Sequence, residues 1–162
     1  MSTETTEAVQ YLTFKLGNEI FATEVAKVRE VLDFTAITAI PRTPEFMSGV
    51  INLRGSVVPV VDMRLCLNMS RTERTTNTCI VVLEVQLDGE PVVIGALADS
   101  VEEVIDLDSS QISPAPQIGM QVRIDFIKGM GKRDAEFIVI LDIDRVFSSE
   151  DITAMHSTEI AA

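Results

Sequence analysis

Short apolar runs, alternating with polar residues and separated by turn dipeptides, dominate this chain of 162 residues. Gln10 to Leu16 alternates as a half-buried strand does, Gly17-Asn18 is a turn dipeptide, and Glu19 to Thr23 returns as the second strand of a hairpin. Cys79 to Leu87 and Pro91 to Ala98, joined through Asp88-Gly89, form the strongest hairpin signal in the chain. Val101 to Leu107 supplies a further strand. Ile124 to Met130 and Ala135 to Leu141, with a turn from Gly131 to Asp134, make a last hairpin. Val25, Val28 and Leu32 fall at helical spacing, yet Val28-Arg29-Glu30-Val31 also suits a strand after a single helical turn, and the pattern leaves both readings open.

The densest constraints lie between Gly49 and Arg64. Leu53 and Val57, Val58, Val60 and Val61 suit half-buried or fully buried strands, and Asn52 and Gly55 bracket a tight reversal with Arg54 at its tip. Pro59 lacks an amide to donate, which predicts an edge or a bulge. Upstream, Thr38 to Ile40 reads as a short strand. Thr43 as N-cap, Pro44 at the first helical position and Gly49 as terminator predict a short helix. Met63 to Leu67 suits a helical turn, Asn68 to Thr78 an exposed linker or mobile loop, and Ser109 to Met120 a loop. Asp142 to Phe147 suits a second helical turn, and Ser148 with Asp151 could cap a short helix in a tail spanning 148–162. Residues 1–8 are polar and acidic without periodicity and read as a disordered arm.

The second half of the chain echoes the first. Ile51-Asn-Leu-Arg-Gly, Val57 to Val61 and Asp62 are matched by Ile127-Lys-Gly-Met-Gly, Phe137 to Leu141 and Asp142. Each is a strand, a glycine turn, an apolar strand and an Asp placed to cap a helical turn. Many short strands with glycine turns predict an all-β chain of barrels or a sandwich, built as two similar modules.

Composition narrows the function. With 46% hydrophobic residues the chain can bury a core, and the absence of Trp leaves that core mainly to aliphatics. Thirteen Lys and Arg stand against 25 Asp and Glu, and a net charge of −12 opposes the phosphate neutralisation that nucleic-acid binding needs. No apolar run approaches the roughly 20 residues of a spanning helix, so no membrane insertion is expected. The first residues lack the basic start and apolar centre of a secretory signal, which points to the cytoplasm. Cys66 and Cys79 have apolar neighbours and read as free thiols rather than a disulfide.

Catalytic and cofactor motifs fail at named positions. Gly129-Met-Gly131-Lys132 superficially matches a phosphate loop, but Phe126 and Arg133 stand where Gly and Ser or Thr are required, and a tight hairpin turn explains the glycines. His156 is the single histidine, so no histidine triad or multi-histidine metal site can form. Glu102, Glu103, Asp106 and Asp108 form the densest acidic patch, and without a partner base or nucleophile they read as a solvated face. No catalytic residue, cofactor or metal site is predicted.

The residues Gly49-Val-Ile-Asn-Leu-Arg-Gly55 followed by an apolar run with Pro and then Val61-Asp-Met-Arg64 resemble the CheW family of bacterial chemotaxis adaptors. The resemblance runs from about Val9 to Phe147 and includes Tyr11-Leu-Thr-Phe-Lys-Leu-Gly17, Val28-Arg-Glu-Val31, Ile40-Pro-Arg-Thr-Pro44 and Asp99-Ser-Val-Glu-Glu-Val104. It implies two five-stranded SH3-like barrels packed side by side, approximately 9–74 and 75–147, with a few short helices. It also implies a turn and then a strand at Val28.

The function implied is that of a non-enzymatic scaffold, monomeric when isolated, recruited to receptor arrays at the inner face of the membrane. There it would couple the cytoplasmic hairpin tip of methyl-accepting chemoreceptors to the regulatory domain of a CheA-type histidine kinase. Carried over as partner-binding positions are Val28, Glu30, Gly49, Arg54, Asp99, Val101 and Val104. By residue type alone Val28, Val101 and Val104 also suit a core, and Arg54 also suits an internal salt bridge that orders its turn. The same adaptor role in a pilus-motility or other chemosensory pathway is the near alternative, and an all-β enzyme using the acidic patch the distant one.

Overall fold

The computed structural model describes residues 8–114, 126–133 and 136–147. Residues 1–7 of the expected arm, the second half of the 109–120 loop and the tail helix at Ser148 lie outside the described residues. Eleven strands are present: β1 (Val9–Leu16), β2 (Glu19–Glu24), β3 (Val28–Asp33), β4 (Met47–Leu53), β5 (Ser56–Asp62), β6 (Cys79–Leu87), β7 (Glu90–Ala98), β8 (Ser100–Leu107), β9 (Ile112–Ser113), β10 (Ile127–Arg133) and β11 (Glu136–Leu141). Two short helices, α1 (Met63–Cys66) and α2 (Ile143–Phe147), follow β5 and β11. The chain is all-β, as its alternation predicts.

The strands form a six-stranded sheet in the order β8-β1-β2-β11-β10-β9 and a five-stranded sheet in the order β3-β6-β7-β5-β4. Among the described residues no pairing closes either sheet into a ring. β3 to β7, residues 28–98, make one sheet, while the opening hairpin β1–β2 inserts between β8 and β11 of the other. Sequential hairpins are local and readable, whereas the parallel contact of β2 with β11, Phe21 opposite Val139, joins residues far apart in sequence.

The internal repeat is real in three dimensions. β5 pairs parallel with β7, as β11 does with β2. The Asp62 amide donates to the Phe46 carbonyl at 2.7 Å, and the Asp142 amide to the Phe126 carbonyl at 2.8 Å. The register of each hairpin shifts at a glycine, Gly49 in one and Gly129 in the other, as at a β-bulge. A lone bridge from Thr38 to Val50 stands where β9 pairs with Met130 of β10.

Several local expectations change. The spacing of Val25, Val28 and Leu32 resolves into one 3-10 turn, Val25–Lys27, followed by β3, whose burial alternates residue by residue. No helix forms after Thr43. Its hydroxyl donates to the Ile40 carbonyl, Met47 closes a turn onto Pro44, and Met47 to Leu53 is drawn into β4. The strand expected at Thr38 to Ile40 is that single bridge. Pro59 lies in β5, an interior strand. It faces Val50 of β4, and the pairing with β7 begins only at Val60, so no ladder amide is lost. Gly129 and Gly131 sit within β10 rather than in a turn. A Cβ on Gly131 would stand 2.8 Å from Leu107 Cδ1, so the glycine admits a close approach.

The largest core cluster lies between the sheets, drawing Leu12, Phe14 and Phe21 from one, Val81, Leu83 and Ile94 from the other, and Met63 and Phe147 from the helices. Smaller clusters line the far faces, one around Tyr11 and Ile140, the other around Val60 and Ile80. Polar links cross the seam on both sides. Asp144 of α2 accepts from Lys27 Nζ at 2.6 Å and from the Gln86 amide at 3.0 Å. Asp99 accepts from the Gly17 amide at 2.7 Å and faces Arg64 of α1 at 3.6 Å.

Candidate functional site

Arg54 and Glu30 meet, although 24 residues apart in sequence. Arg54 is the first central residue of the β4–β5 turn, with φ of 51°, and Gly55 follows at 88°. Both angles are left-handed, the geometry of a two-residue hairpin turn, and Asn52 Oδ1 accepts from the Gly55 amide at 2.8 Å to fix it. An Arg is uncommon in that conformation, which favours Asn or Gly. Here the guanidinium clasps Glu30 of the edge strand β3, Nη1 donating to Oε2 and Nη2 to Oε1, each at 2.8 Å. The fork-on-fork geometry suits the planar guanidinium. Arg54 nevertheless remains 71% exposed, so the pair is both internal and presented to solvent. The hydrogen bonds from Arg54 hold the Glu30 carboxyl below its ordinary pKa of 4.5.

Beside the pair runs a groove of about 580 Å³ whose walls include Leu53, Val57, Pro59 and Val93. Val57 is 71% exposed, the most solvated large aliphatic among those described. The sequence placed Val57 in a half-buried or fully buried strand and did not mark it as an exposed position. The signal against that was its position three residues beyond Arg54, at the solvated start of β5, where burial begins only at Val58.

The other predicted residues lie elsewhere. Val28 is on β3 with Glu30 but is half-buried and packs on the central core. Gly49 is buried in the β4 bulge with φ of 146°, and a Cβ there would stand 2.2 Å from the Thr38 carbonyl oxygen, so this backbone approach requires glycine. Asp99 lies at the seam, bonded to the β1–β2 turn. Val101 and Val104 are on β8, an edge of the six-stranded sheet. Val101 packs on the central core and Val104 is 51% exposed. Glu30, Arg54 and Val28 are thus gathered on the five-stranded sheet, and Val101 and Val104 lie on the other.

The acidic patch is dispersed. Glu102, Glu103 and Asp106 are exposed along β8, while Asp108 accepts from the Ser110 amide and caps a 3-10 turn. Among the described residues no group of three or more His, Cys, Asp or Glu is placed to hold a metal ion. Burial, aided by the nearby Asp62 charge, pushes the Cys66 thiol up to about 12, which leaves it protonated and unreactive at neutral pH.

A fold of two paired sheets is also found among known proteins of one family. The family model described as the CheW-like domain matches residues 10–151. The chain belongs to the CheW-like family. Among curated relatives, the chemotaxis protein CheW of Klebsiella aerogenes is 34% identical over 143 residues, covering 88% of this chain and 84% of the relative. The crystal structure of the scaffolding protein TtCheW from Thermoanaerobacter tengcongensis superposes with a TM-score of 0.78 at 30% identity, covering 90% of this chain and 91% of that one. A more distant relative, protein FrzA of Myxococcus xanthus, is 30% identical over 107 residues, 66% of this chain and 64% of the relative.

Proposed function

We propose that this CheW-like chain is a non-enzymatic scaffold that couples transmembrane chemoreceptors to a CheA-type histidine kinase. The observation that carries the reading is the Glu30–Arg54 clasp, solvent-facing and set at the rim of the groove beside Val57. Arg is enriched among interface hot spots, and the exposed apolar groove beside it offers a partner surface to bury. The kinase regulatory domain would dock there. The receptor's helical hairpin would lie along the β8 side with Val101 and Val104, in helix-in-groove fashion. Among the described residues no helix is long and apolar enough to cross a membrane, so recruitment to the inner face of the membrane would come through the receptor.

Co-sedimentation with receptor-containing membranes, with and without kinase, tests this directly. The protein should pellet with receptor membranes, and more strongly when kinase is present, since a second linked contact acts intramolecularly. Failure to pellet in either case would overturn the proposal. The similarity to FrzA supports a second reading in which the same scaffold serves a different chemosensory pathway. Pelleting with receptors of one pathway and not another decides between them.

A further inference from the structure

On the same outer face of the five-stranded sheet as the groove beside the clasp, but sharing no lining residue with it, lies a second cavity of about 220 Å³. It is lined by Phe34, Ile37, Ser48, Thr72, Arg74, Thr78 and Leu97. Its volume is below the range usual for small-molecule sites and suits a single side chain. The floor is apolar and the rim is rich in donors. Arg74 lies over the Phe34 ring, its guanidinium carbon 4.0 Å from the centroid, which leaves its N–H edge free to donate. Among the described residues no carboxylate pairs with Arg74, and no partner engages the Ser48 hydroxyl. The Thr78 hydroxyl accepts from the Thr75 amide and retains its proton for donation.

The segment that carries Arg74 is held in place. The Thr72 amide and hydroxyl both donate to Asp62, at 2.9 and 2.6 Å, and Arg71 pairs with Glu45 at 2.8 Å. Arg71 is paired with Glu45, which leaves Arg74 as the cation of this segment that faces the cavity. A cation without a counter-ion, fixed over an aromatic ring beside free hydroxyl donors, is complementary to an acceptor-only carboxylate on an aliphatic stem.

We propose that this cavity binds an acidic side chain from a peptide segment of a partner protein. The carboxylate sits on Arg74, Ser48 and Thr78, and the stem lies against Phe34, Ile37 and Leu97. This site is separate from the clasp and does not depend on the adaptor reading.

The test is an NMR titration of the full chain with the blocked peptide acetyl-Leu-Glu-Leu-amide, its Gln counterpart, and inorganic phosphate. The Glu peptide should give saturable amide shifts at Ser48, Thr72, Arg74 and Thr78, with a dissociation constant of roughly 1–10 mM. The Gln peptide, and the exposed-site variant Arg74→Gln, should bind at least about fivefold more weakly. No saturable shift, equal binding of the two peptides, or undiminished binding by Arg74→Gln would overturn the proposal. So would the same shifts produced by phosphate at lower concentration, which would make the cavity a phosphate site.

Discussion

The β4–β5–α1 unit and the β10–β11–α2 unit share one plan and use it differently. In both, an Asp at the end of the second strand or just after it bonds back to a phenylalanine carbonyl and precedes a helical turn. Asp62 is 2% exposed and accepts from the amides of Arg64 and Thr72 and from the Thr72 hydroxyl. Asp142 is 34% exposed and accepts from the Arg145 amide at 3.3 Å. The first copy has become the anchor of the 68–78 segment, and the second remains a helix cap. A repeated residue type therefore does not imply a repeated energetic role. The partners that later chain segments bring decide it.

Substitution at the bulge glycines should separate the units most strongly. Alanine at Gly49 meets the Thr38 carbonyl and an unfavourable φ together, so Gly49→Ala should lose on the order of 3–5 kcal/mol. At Gly129 no positive φ adds strain and the obstacles are the Ile112 Cγ2 methyl at 2.6 Å and the Ser113 carbonyl oxygen at 3.2 Å, so Gly129→Ala should lose less, roughly 1–3 kcal/mol. Equal losses in urea unfolding would contradict the distinction.

The caps come next. Asp62→Ala should destabilise by about 2–4 kcal/mol and free the 68–78 segment to rapid amide exchange at Thr72. Asp142→Ala should lose only about 0.5–1 kcal/mol and leave that exchange unchanged. Protection of the Thr72 amide surviving in Asp62→Ala would show that the anchor lies elsewhere.

The clasp should matter least for folding and most for association. Arg54→Glu should unfold at nearly the wild-type urea midpoint, because an exposed pair contributes little. Kinase binding should weaken roughly tenfold or more, and Glu30→Arg in the same chain should restore part of it. Normal kinase binding by stable Arg54→Glu protein would remove the clasp from the interface.

The smallest effect concerns pH. Because the native state holds Glu30 below its unfolded pKa, the pair's stabilisation is present above about pH 4.5 and is lost as pH falls through the lower native value. NMR titration should place the Glu30 midpoint below 4.5 in the native protein and closer to it in Arg54→Ala.

Local features were legible in the sequence because their causes are local. Gly17-Asn18 and Asp88-Gly89 announce their turns, and the two Asp caps announce the helices. Nonlocal pairing has no such signal. Nothing within Glu19 to Glu24 indicates that Phe21 will lie opposite Val139. The helix expected after Thr43 failed because strand pairing at Met47 outweighed a good cap. At the site, residue type offered Arg54 either an internal partner or an external one. Geometry shows that the internal pairing leaves the guanidinium exposed. The role of Gly49 in backbone packing was hidden because its obstacle, the Thr38 carbonyl, belongs to a bridge only the fold creates.

The insertion of β1–β2 between β8 and β11 has a consequence for biosynthesis. Translation is vectorial, so the five-stranded sheet can assemble once residue 98 has emerged. The hairpin β1–β2 gains β8 beside β1 only after residue 107, and β2 must wait for its second neighbour until β11 at 136–141 is synthesised. At about 5–20 residues per second the wait from the end of β2 is roughly 6–23 s. Until then the edge of β2 is an unpaired row of backbone donors and acceptors. A strand made early in the domain is thus among the last to have both edges covered.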